Sequence, residues 1–218
     1  MSFIAKFLPF LLLATFLQTS ALHAGDIEKF PKTIDKNCRG GGAKIFDECS
    51  DQVKLFRVAL VRARKSNKTV LVSYGAEWCI WCHVFEAYIN GKRSKFDYVY
   101  GGPDEPDARY RATLYEREQS DVSREAKALN DFVKRNFIVV HIENRLAPNG
   151  RLVLQKTGAA QHFSGGIPFI FAVDGKGKYV GHIRSKSVEV RRDTADWFRG
   201  YDRKKLLFHL HKLKESDF

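Results

Sequence analysis

The chain has 218 residues, 44% hydrophobic and 28% charged, with a formal net charge of +12 at neutral pH. Such a composition excludes a disordered chain and suffices for one domain with a sizeable core. The basic residues are scattered and no aromatic–basic motif occurs, so the charge is read as a solvated surface and no nucleic-acid partner is expected.

Met1 to Ala24 has the form of a secretory signal. Lys6 supplies the positive start, Phe7 to Leu17 the apolar run, and Ala21-Leu22-His23-Ala24 a small-residue ending before Gly25. The apolar run is short for a bilayer span, so an uncleaved anchor ranks second and the chain is not expected to be an integral membrane protein after cleavage. Export, most simply to a periplasm, would place all four cysteines in an oxidising compartment.

Residues 25–49 form an N-terminal extension that looks irregular, with Pro31 and the run Arg39-Gly40-Gly41-Gly42. Cys38 and Cys49 flank those glycines. Their expected role is a structural disulfide, worth roughly 2–3 kcal/mol for so short a loop. A second exchange centre is the sharper alternative, but C-x-x-C spacing and a strand–helix setting are absent there.

From Asp51 the pattern turns helical, with Val53, Phe56, Leu60 and Ala63 at three- and four-residue spacing and basic residues toward the end. Thr69 to Tyr74 is a mostly apolar strand of the kind covered on both faces. Next comes Gly75-Ala76-Glu77-Trp78-Cys79-Ile80-Trp81-Cys82-His83, leading into a helical run from Val84. Two cysteines at a strand-to-helix transition are a candidate redox pair, because the helix start offers free N–H groups and a positive dipole end to a Cys79 thiolate. The same letters spell C-x-x-C-H, the haem c attachment signal.

Residues 91–119 form a second irregular region, whose Phe96, Tyr98, Tyr100, Tyr110 and Tyr115 are expected to pack back onto the body. Ser120-Asp121 is expected to cap a helix with Val122, Ala126, Leu129, Phe132 and Val133 on one face. Phe137 to Ile142 is a second buried strand, with His141 a packed residue and not a ligand. A turn at Pro148-Asn149-Gly150 and a short helix through Lys156 follow. Ile167-Pro168 introduces an apolar strand to Val173; Asp174 to Gly177 turns it back into an antiparallel edge, Lys178 to Ile183. Trp197, Phe198 and Gly200 close a connection, and Asp202 caps a last helix with Leu206, Leu207, Leu210 and Leu213 inward. Strand–helix–strand units with a final hairpin give a small mixed sheet with helices on both faces. One α/β domain is expected over 50–218, with an insertion at about 91–119.

Two motifs resemble the thioredoxin superfamily: Ala76-Glu77-Trp78-Cys79-x-x-Cys82 after a buried strand, and Gly166-Ile167-Pro168 before an apolar strand and hairpin. The Trp-Cys-x-Trp-Cys-His form is similar to a secreted bacterial branch of thioredoxin-like proteins, and the likeness covers roughly 50–215. It implies a thioredoxin-like three-layer sandwich and an exported thiol–disulfide oxidoreductase with no bound cofactor or metal. Cys79 would attack a substrate disulfide and Cys82 would resolve the mixed disulfide. Trp78, Ile167 and a cis Pro168 would bind substrate, Ile167 by pairing its backbone with the substrate chain. The implied partners are proteins carrying disulfides or thiols and a membrane redox protein. This sequence departs from the family at Ser73, where classical thioredoxins carry a buried aspartate that helps move the proton of the second cysteine. Ile80-Trp81 stands between the cysteines in place of Gly-Pro. His83 would favour a thiolate as a cation, or lie exposed on the helix; Ser73, Trp81 and His83 are thus candidate modulators.

Three rivals remain at this level. Haem c would use His83 as iron ligand, but the buried strand and Ile167-Pro168 have no part in that reading, and the only methionine is Met1. A closed zinc site needs four ligands, and one Cys pair with a neighbouring His falls short. A thioredoxin-like module that binds partners without exchange chemistry is the third.

Overall fold

The structure, a computed structural model, describes residues 26–95, 117–192 and 198–216. The proposed signal segment, the five aromatics of the insertion and Trp197 lie outside the described residues.

The elements in chain order are β1 (Lys29–Phe30), α1 (Gln52–Ser66), β2 (Thr69–Gly75), α2 (Ile80–Ile89), β3 (Lys92–Lys95), β4 (Arg117–Ser120), α3 (Arg124–Asn136), β5 (Phe137–Glu143), α4 (Gly150–Thr157), β6 (Phe169–Val173), β7 (Tyr179–Ile183), α5 (Ser185–Val188), β8 (Glu189–Arg192), β9 (Phe198–Tyr201) and α6 (Arg203–Glu215). Five strands make the central sheet in the order β1-β5-β2-β6-β7. β2 and β5 run parallel in full register, Thr69 opposite Phe137 and Gly75 opposite Glu143. β6 runs antiparallel to β2, and β7 antiparallel to β6. Every residue of β2, β5 and β6 is buried, as unbroken apolar runs require when both sheet faces are covered.

Strand alternation divides the core in two. Val70, Val72, Tyr74, Ile138, Val140 and Phe171 meet α1 and α4 on one face. Leu71, Val139, Ile170 and Ala172 meet α2, α3 and α6 on the other. The result is a three-layer sandwich with a mixed central sheet, and its strand order and directions are thioredoxin-like.

Three local expectations are corrected. The extension is not irregular throughout, because Lys29 and Phe30 pair in parallel with Val139 and Val140 and add the edge strand β1. Its two residues are too short to show an alternating pattern. The cap of α3 is Ser123, whose side chain accepts from the Ala126 N–H, and not Ser120-Asp121. Asp121 instead accepts from the Ser123 N–H and pairs with the Arg203 guanidinium at 2.9 Å. Val122, outside the helix, is 95% exposed and does not join the core face. Beyond β7, what was read as a connection contains the antiparallel pair β8–β9, with Glu189 opposite Tyr201. Tyr201 packs edge-on against Trp81, Phe85 and Tyr88, so this hairpin supports α2 from outside.

Candidate active site

β2 ends beneath the start of α2, and the turn between them carries both cysteines. Cys79 is the N-cap of α2: its backbone is extended and its Sγ accepts from the Cys82 N–H at 3.2 Å. No acidic residue occupies the first turn, so nothing there opposes the positive helix end. The two cysteines are disulfide-bonded, with Cα atoms 5.3 Å apart. Cys79 retains 5% exposure and Cys82 none. The outer sulfur can thus be reached first and the inner one only from within the molecule.

Close packing holds this pair. A Cβ on Gly75 would lie 2.5 Å from Cys82 Sγ and 3.1 Å from Phe46 Cζ, so only glycine lets the inner sulfur sit on the strand end. Phe46, Ala76, Cys79 and Cys82 form one small apolar cluster, and Ile45, Trp78, Trp81 and Ile167 pack against it. The fold therefore brings Ile167, remote in sequence, to the dithiol. The Ile167–Pro168 peptide is cis. Beside it opens a cavity of about 550 Å³ lined by Gly166, Ile167, Pro168, His182, Arg184 and Lys186, among others.

His83 is neither exposed nor a cation. It is 5% exposed, and its Nε2 lies 2.6 Å from the Glu77 carbonyl oxygen and 3.3 Å from Glu77 Oε1. Burial lowers its pKa and outweighs the opposing pull of Glu77, so the ring is neutral at neutral pH. Trp81 is half-buried against Tyr201, with ring centroids 5.6 Å apart. Ser73 is fully buried on β2, and its Oγ has no hydrogen-bond partner among the described residues.

The extension reaches the site as well. Cys38 and Cys49 are disulfide-bonded, with Cα atoms 6.0 Å apart. Glu77 Oε2 accepts from the N–H groups of Ile45 and Phe46, both at 3.0 Å. Phe46 and Glu86 were not singled out from sequence, and His141, read there as a packed residue, is indeed buried. His141 had a signal, as the one ionisable residue inside the apolar run Phe137 to Ile142. Glu86 had another, one helical turn beyond Cys82. Phe46 had none, since its place depends on how the extension folds back.

No family model matches the sequence, and no curated protein matches it. Among solved structures, the chain is similar to the disulphide isomerase from Xylella fastidiosa Temecula1, at 16% identity and a TM-score of 0.46, over 78% of this chain and 96% of that one.

Proposed function

We propose that the chain is a member of the thioredoxin superfamily and an exported thiol–disulfide oxidoreductase acting on protein substrates through Cys79 and Cys82. The observation that carries this reading is the placement of Cys79: bonded to Cys82, at the N-cap of a helix with no acid in its first turn, slightly exposed where Cys82 is not, and with Ile167 packed beside the pair.

In the reducing direction the Cys79 thiolate attacks a substrate disulfide. One substrate sulfur leaves as a thiolate and the other stays bonded to Cys79. Cys82 then attacks Cys79 Sγ, re-forming the Cys79–Cys82 bond and releasing the second substrate sulfur. Two electrons pass from the dithiol to the substrate, and the oxidising direction is the reverse. Trp78 and Ile167 offer an apolar surface beside the attacking sulfur, and the backbone before Pro168 offers an edge for an extended peptide. Outside the cytoplasm the pair needs an electron source or sink, which we assign to a membrane redox partner. Haem attachment is disfavoured because His83 Nε2 is engaged with Glu77 inside the protein.

The test is Cys79→Ala. Reduction of insulin by the dithiothreitol-recharged wild type is expected, and its loss to background in the variant. Equal insulin reduction by both would remove Cys79 from the chemistry, and none by the wild type would leave an interaction module.

A further inference from the structure

The cavity of about 550 Å³ beside Ile167 and Pro168 carries an uneven charge. Arg184 and Lys186 line it, and Glu189 is the one acid among its described lining residues. The two cations flank Ser185, whose hydroxyl donates to the Pro168 carbonyl oxygen at 3.4 Å. The segment that follows β7 is thereby fastened to Pro168, and both cations stay beside it. Neither Arg184 nor Lys186 forms a salt bridge among the described residues. Burial raises the Glu189 pKa against the opposing pull of Arg191, Lys186 and Arg199, so one carboxyl group faces three cations. Burial lowers the His182 pKa, and His162 and Arg184 lower it further. That ring is therefore neutral at neutral pH, and the positive charge of the cavity rests on Arg184 and Lys186.

The cavity is continuous with the dithiol. Ile167 lines it and also packs on the cysteine cluster, as does Trp81. The Arg199 guanidinium lies 5.9 Å from the Trp81 ring centroid, and Arg191 is its register partner on the β8–β9 pair. The acid of the cysteine turn, Glu77, is taken up by the N–H groups of Ile45 and Phe46. The backbone leading to Ile167 is open, since a Cβ added at Gly165 or Gly166 would meet nothing within 4 Å. An extended chain thus has room beside the cavity, with cations along its path.

We propose that Arg184 and Lys186 make this cavity a subsite for an acidic side chain of the substrate, so that the dithiol selects proteins whose exchanging cysteine lies within a few residues of Asp or Glu. The proposal rests on the dithiol reading above. The substrate carboxylate sits between the two cations, and Phe169 and Ile183, which also line the cavity, take its methylenes. Partly enclosed by apolar groups, such a charge is screened less than on a flat surface. Arg184 and Lys186 are thus specificity-determining residues, which raise the rate of encounter with acidic chains and take no part in the exchange of sulfurs.

The test is a single turnover of the reduced full chain with short peptides whose one cysteine is bonded to 2-pyridinethiol and flanked on both sides by Asp, Asn, Leu or Lys. Cys79 bonds to the cysteine sulfur as the bond to the pyridine sulfur breaks, and the leaving group takes a proton from water as pyridine-2-thione, read by absorbance. Each rate is divided by that of the same peptide with dithiothreitol, which removes the peptide's own reactivity. At low salt the wild type is expected to prefer Asp over Asn roughly 10-fold, the preference shrinking as salt is added. Arg184→Glu with Lys186→Glu is expected to abolish that preference and to favour Lys instead. Lys65→Glu with Lys176→Glu changes the net charge equally and is expected to keep it. Lys176 lies in the turn at the far end of β6 from Pro168, and Lys65 adjoins Arg64, which donates to the Gly175 carbonyl oxygen of that turn. Equal rates for Asp and Asn in the wild type overturn the proposal, as does a preference for Leu over Asp. So does a preference lost equally in both double variants, which would be an effect of net charge alone. A wild type that releases no thione from any peptide instead overturns the dithiol reading itself.

Discussion

Glu86 shows how one side chain joins stability to the site. Burial opposes its charge, yet His141 and Lys29 bring its pKa down from the ordinary 4.5 to about 2. A carboxyl depressed on folding favours the folded state above its ordinary pKa, and that contribution disappears as the pH falls through the window from 4.5 to about 2. Urea denaturation at a series of acid pH values should therefore show stability dropping across this window in the wild type. Glu86→Gln should be less stable at neutral pH and lack that part of the acid drop. At this scale the sequence showed the candidate redox pair but not its surroundings. Cys79 and Cys82 are legible because spacing and a strand–helix setting define them. His83 is not, because its protonation depends on Glu77 and on burial that no local pattern encodes.

Among the elements, α2 and its supports decide how the dithiol is presented. Arg203, at the start of α6, donates to the carbonyl oxygens of Tyr88 and Lys92 at 3.0 and 2.9 Å and to Asp121 Oδ2. One guanidinium thus ties the end of α2, the start of β3 and the approach to α3. The ion pair is buried, with side-chain exposures of 8% and 4%. Asp121→Asn would leave Arg203 without its counter-charge, and a loss of about 3–5 kcal/mol in chemical denaturation is expected. This contact also explains the misplaced cap. Asp and Ser are both good caps, so sequence alone could not tell that Asp121 is held by a residue 82 positions away. The strands β2, β5 and β6 were readable because their apolar runs are unbroken. The pairs β3–β4 and β8–β9 were not, since strands of four polar or mixed residues carry no such pattern.

For the whole molecule, strand–helix–strand units and a final hairpin were enough to expect a mixed sheet with helices on both faces, while the edge strand β1 was not foreseen. The part that sequence placed outside the sheet, residues 25–49, instead closes the site. Lys29 and Phe30 extend the sheet, Phe46 packs on the cysteine cluster, and Glu77 binds the backbone of Ile45 and Phe46. The Cys38–Cys49 bond constrains this segment. Replacing both cysteines by serine should cost roughly 2–3 kcal/mol of unfolding free energy, read by urea melts of oxidised wild type and variant. Exchange through Cys79 should persist in that variant, because the extension shapes the site without supplying its sulfurs.

The central claim is that Cys79–Cys82 is an exchange couple and not a structural bond. Its reduction potential tests this directly, by equilibrating the protein in graded thiol–disulfide buffers and counting alkylated thiols by mass. The account predicts a two-electron couple between about −270 and −120 mV, where known exchange proteins lie. A bond that stays oxidised in buffers poised below about −300 mV, where structural disulfides lie, would contradict it.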